Sequence, residues 1–70
     1  MKLIAKSEIV AYEHIDLEDY QATIREGTEV EIGCFWNNSV GVKYLRRYDL
    51  KELEGYISYK QYEFGLKEKK

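Results

Sequence analysis

The sequence predicts a small, mostly all-β domain in which five short antiparallel strands form a barrel or sandwich. Three observations carry that prediction. Apolar residues recur at every second position in short runs, most clearly Val30-Ile32-Cys34 and Val40-Val42-Tyr44. Single glycines and the cluster Asn37-Asn38-Ser39 separate the runs, and proline is absent. Finally, 44% of the 70 residues are hydrophobic and 14% aromatic, which is too rich for a disordered chain yet enough for only one domain.

The first strand signal runs from Leu3 to Tyr12, where Ile9 and Ala11 face opposite to Val10 and Tyr12. Glu13 to Gln21 is polar and acidic. A helix capped by Asp16 is one reading of it. The clean alternation of Tyr20, Ala22 and Ile24 favours instead an excursion loop, followed by a pair of strands turning at Gly27. Strand character continues from Thr28 to Trp36. Asn37 and Asn38 then make a tight turn because asparagine tolerates positive φ. The return strand places Val40, Val42 and Tyr44 on one face. Asp49-Leu50-Lys51-Glu52 has the form of a capping box, predicting a short helical turn over residues 49–54 with Gly55 as its stop. Tyr56 to Tyr59 and Tyr62 to Leu66 complete the strands. Residues 1–66 thus form one domain, and 67–70 a basic tail expected to fray.

Two stretches resemble a known family. Val10-Ala11-Tyr12-Glu13-His14 followed by Ala22 to Ile32, and the later Gly55-Tyr56-Ile57-Ser58-Tyr59-Lys60-Gln61-Tyr62, resemble the opening and closing signatures of the Src homology 3 domain. The resemblance implies a small barrel, of a divergent bacterial or phage kind. It also implies a shallow groove that holds peptides between aromatic side chains. Tyr12 matches the first groove tyrosine. His14, Ser58 and Gln61 stand where the family has a tyrosine, a proline and a tyrosine; Val40 stands near the groove tryptophan's place, four residues after Trp36. These departures point away from polyproline ligands. The acidic segment matches better: Glu13, Asp16, Glu18 and Asp19 occupy the loop that in the family meets a ligand's arginine or lysine.

Charge divides along the chain more than its net of −2 suggests. Between Glu13 and Glu31 seven acids face the single base Arg25, whereas Lys43, Arg46, Arg47 and Lys51 face only Asp49. The net charge argues against a general polyanion binder. Catalytic parts are missing. There is one histidine, His14, expected at the surface, and one cysteine, Cys34, expected buried on its strand. There is no phosphate loop, serine nucleophile motif or metal-ligand spacing. The expectation is therefore a non-enzymatic, cofactor-free protein. Neither a membrane span nor a signal segment is expected, and the expected location is the cytoplasm.

Of Phe35 and Trp36, adjacent on one strand, one should face inward and the other outward. The expected function is a protein–protein interaction module, an inhibitor or adaptor, that takes a basic or amphipathic surface of a larger protein. Its expected binding residues are Tyr12, Glu13, Asp16, Glu18, Asp19, Trp36, Tyr56 and Tyr59. The alternative is nucleic-acid binding through Lys43, Arg46 and Arg47, which are interleaved with Tyr44 and Tyr48. A third possibility is a homodimer formed by tyrosine-rich sheet edges.

Overall fold

The computed structural model describes residues 2–68. The elements are β1 (Lys2–Ala5), β2 (Ile9–Tyr12), β3 (Tyr20–Ile24), β4 (Glu29–Trp36), β5 (Ser39–Leu45), β6 (Glu52–Ser58), α1 (Tyr59–Gly65) and β7 (Leu66–Glu68). All strands join one antiparallel sheet in the order β3-β2-β6-β5-β4-β1-β7. The mostly-β class is as expected, with seven strands in place of five. Leu3–Tyr12 breaks into two strands at Lys6-Ser7-Glu8, and the chain end returns to pair with β1 as β7.

The order of strands makes the sheet curl. Between β2 and β1 lie three strands, so a flat sheet would hold them roughly 19 Å apart. Three residues link Ala5 to Ile9 and span at most about 14 Å. A flat sheet is therefore excluded, and the curl creates a concave side where alternate residues are buried. Ile9, Ile24, Val30, Val40 and Ile57 are fully buried there. Leu66 and Tyr62 of the terminal segment pack on the same core.

Several local expectations change. The turn at Gly27 is present, with φ 89°, but β3 and β4 do not pair with each other. The turn instead carries the chain across the fold and is tied to β1 by Gly27 N–H to Ala5 O (2.8 Å) and Ala5 N–H to Thr28 O (3.0 Å). Alternation identifies strands without naming their partners.

The helical turn expected over 49–54 is absent. Arg46–Lys51 forms a turn closed by Leu50 N–H to Arg46 O (2.7 Å) and Arg46 N–H to Lys51 O (2.8 Å), and β6 begins at Glu52. The Asp49 carboxylate accepts from Lys51 N–H, which satisfies the turn and not a helix start. The helix lies instead at Tyr59–Gly65, where a strand was expected from Tyr62 to Leu66. Ser58 caps it by accepting from Gln61 N–H at 3.1 Å. Lys67 and Glu68 are held against β1 and are not a frayed tail; residues 69 and 70 lie outside the described residues.

Gly55 is no helix stop. It is buried in the middle of β6, where an added Cβ would approach the Tyr12 carbonyl oxygen to 2.8 Å. The space is taken by Gln21, whose amide donates to Glu54 O (2.9 Å) while its Oε1 accepts from the Tyr44 hydroxyl (2.8 Å). Gln21 thereby ties β3 to β6 and β5 beside Tyr12–Tyr56, the pair that joins β2 to β6.

Candidate functional site

The convex side of β2, β6 and β5 carries the predicted Tyr12, Tyr56 and Lys43. Tyr12 pairs with Tyr56, and Tyr56 with Gly41; cross-strand partners share a face. Their neighbours Val40, Val42 and Ile57 are buried, so this row faces out. On β4 the register slips between Ile32 and Phe35, which sets Gly33 and Cys34 against Gly41. This bulge overturns the expected burial of Cys34, which is exposed. With no side chain on Gly33 or Gly41, a hollow of about 400 Å³ opens, walled by Trp36 and Tyr56. Glu31, Lys43 and Glu54 pair across three strands along its rim.

Trp36 and Phe35 do lie on opposite sides of β4, since Trp36 pairs with Ser39 and Phe35 with Val40. Phe35 nevertheless stays 50% exposed, much like Trp36 at 53%, because it sits at the open end of the sheet. There its ring meets Tyr62 edge-on at 5.0 Å and Tyr59 at 6.4 Å. Tyr59 thus belongs to that cluster and not to the hollow.

The acidic segment is a loop with no helix. Glu13 N–H donates to Asp19 O (2.8 Å) and Leu17 N–H to His14 O (2.9 Å), while Leu17 and Asp19 take left-handed φ of 64° and 60°. His14 Nε2 lies 3.1 Å from Asp19 Oδ2. Glu13, Asp16, Glu18 and Asp19 are all exposed. The loop is anchored by Ser39, whose hydroxyl donates to Ile15 O and which is only 4% exposed. Ser39 is two residues from Gly41 on β5 and pairs with Trp36, so the anchor sits on the face that holds the hollow. Tyr12, Trp36 and Tyr56 therefore share one side with the loop's Ile15 anchor, while at the loop's ends Glu13 lies near enough to Tyr44 to act on its phenol and Asp19 leads directly into Tyr20. Ser39 and the paired glycines were missed from sequence. The glycines do flank the Asn37-Asn38 turn almost symmetrically, but only the bulge brings them level.

The predicted basic triad divides. Lys43 stands at the rim of the outer hollow, whereas Arg46 and Arg47 follow the end of β5. There, with Tyr20, Arg25 and Tyr48, they line a second hollow of about 650 Å³. Arg46 donates to Asp49 from Nε (3.1 Å) and Nη2 (2.7 Å), and the Tyr48 ring centroid lies 4.6 Å from its guanidinium carbon. Hydrogen bonds from Arg46, and then from the Lys51 amide, lower the Asp49 carboxyl to a pKa of about 2. Nearby, burial pushes the Tyr44 phenol up to about 12; Glu13 and Tyr20 add to the shift and Arg46 opposes it.

Among the described residues no three His, Cys, Asp or Glu side chains converge as metal ligands would, and no helix is long and apolar enough to cross a membrane. Compared with family profiles, characterised proteins and solved structures, the chain finds no match.

Proposed function

We propose that this protein is a non-enzymatic interaction module, an inhibitor or adaptor, whose outer face receives a basic amphipathic segment of a larger protein. The observation that carries the reading is the Ser39–Ile15 anchor, because it holds the acidic loop beside the Trp36–Tyr56 hollow. An apolar side chain of the partner enters the hollow, where flat aromatic walls over a glycine floor can be desolvated at little entropic cost. Lysines or arginines flanking it face Glu13, Asp16, Glu18 and Asp19. These exposed acids act mainly on encounter and orientation, since solvent screens them. A Src-homology-3-like ancestry accords with the curled antiparallel sheet and with an acidic loop between β2 and β3, and it forms part of the same proposal.

The test is capture of a stoichiometric protein from nuclease-treated lysate, followed by measured binding of that protein to variants. Trp36→Ala should weaken binding at least tenfold through faster dissociation. Asp16→Lys with Glu18→Lys should slow association and flatten its salt dependence. Asp19 is left alone because its backbone is left-handed. Binding unchanged in both variants would overturn the proposal.

A further inference from the structure

Neither the outer hollow nor the acidic loop uses the positive charge gathered at the other end of β5. Arg25 from the end of β3 joins Arg46 and Arg47 there, in a hollow that also presents Tyr20 and Tyr48. Both rings are unusually open, at 62% and 81% exposure, so core packing does not account for them. Tyr20 is oriented by its hydroxyl on Thr23 Oγ1 (2.8 Å), and Tyr48 by the guanidinium of Arg46. Asp49 fixes that guanidinium and offsets its charge. Among the described residues Arg25 and Arg47 have no ion-pair partner.

We infer that this hollow binds single-stranded nucleic acid, with Arg25 and Arg47 on phosphates and the rings of Tyr20 and Tyr48 against bases. Guanidinium groups match phosphate oxygens in pairs. Exposed rings accept any base face, which single-stranded ligands present and duplexes do not. An acidic protein segment would engage the arginines and leave both rings uncovered, so it fits less of what is there. The net charge of −2 is no obstacle. Screening at physiological salt acts over about 8 Å, so the hollow's own Arg25, Arg46 and Arg47 weigh more there than the net charge does, against Asp49 and the nearby Glu13 and Asp19.

The test is fluorescence anisotropy of a labelled oligothymidine 12-mer. Two phosphate contacts predict Kd in the 1–100 μM range, roughly that of non-specific binders, and a slope of about −1.4 in log K against log salt. Arg25→Glu with Arg47→Glu should weaken binding at least tenfold, Arg25→Lys with Arg47→Lys should largely retain it, and Tyr48→Ala should weaken it severalfold. Trp36→Ala should leave it unchanged. Absence of binding at about 1 mM protein, ten times the weakest expected Kd, overturns the inference. So does binding indifferent to charge reversal, or a polyglutamate peptide that competes as well as the oligonucleotide does. Should the reversal variant lose its β-sheet circular dichroism, Arg25→Gln with Arg47→Gln is judged by the same criterion.

Discussion

Gly55 and Gly27 use the same residue type for different reasons, and the difference can be measured. Gly27 needs its backbone freedom: φ is 89° and nothing lies within 4 Å of where a Cβ would stand. Gly55 needs its lack of bulk, since a Cβ would meet Tyr12 O at 2.8 Å and Gln21 Cδ at 3.0 Å. Gln21 could swing aside only by losing its bonds to Glu54 and Tyr44, and Tyr12 O could retreat only by disturbing the Tyr12–Tyr56 pair. Gly55→Ala should therefore cost about 2–3 kcal/mol in urea unfolding, as overpacking does. Gly27→Ala should cost about 1–2 kcal/mol, the left-handed penalty alone. Equal losses would mean that the seam at Gly55 is looser than described. At this scale the sequence discloses the inward positions Val30, Val40, Val42 and Tyr44, because an unbroken alternation places them. It misplaces Cys34, because one extra residue in β4 reverses the phase without any mark in composition.

At the scale of elements, two segments satisfy the same helix-start pattern, Asp49-x-x-Glu52 and Ser58-x-x-Gln61. The residues C-terminal to each pattern decide between them. After Glu52, Leu53, Gly55 and Ile57 alternate, which suits a strand with one buried face. After Ser58, Tyr59, Tyr62 and Leu66 fall at helical spacing, but Tyr62, Phe64 and Leu66 also alternate, so periodicity over so short a run is ambiguous. The helix forms because its cap is satisfied and because Gly65 lets it approach Ile9, whose Cδ1 would lie 3.0 Å from an added Cβ. Ser58→Ala should lower stability by about 1 kcal/mol and speed hydrogen exchange at the Gln61 amide. Unaltered exchange at Gln61 would show that packing, and not the cap, holds α1. The acidic loop was more legible, since the alternation of Tyr20, Ala22 and Ile24 sets where the irregular segment must stop.

For the whole molecule, the class of fold was legible but the strand order was not. Alternation is a local property, whereas the curl arises from a three-residue link joining strands that sit four places apart in the sheet. That same curl separates the two candidate surfaces. The Trp36 hollow opens on the outer face of β4, β5 and β6 with the loop anchor at Ser39 beside it, and the arginines gather beyond Leu45 and Ile24. Such surfaces share no side chain at the hollows' centres, and β5 between them is paired along its length to β6, so it offers no hinge. An adaptor built this way should bind its two ligands independently. Saturating the outer face with its protein segment should change the oligonucleotide Kd by less than about twofold, since hollows with no lining residue in common are nearly additive. Linkage then requires the oligonucleotide to leave the segment's affinity equally untouched. Anisotropy with and without the segment measures the first quantity and calorimetry the second. Tenfold mutual weakening would instead mean that both ligands compete for one surface, and the two-pole account of this protein would fail even if each ligand bound well alone.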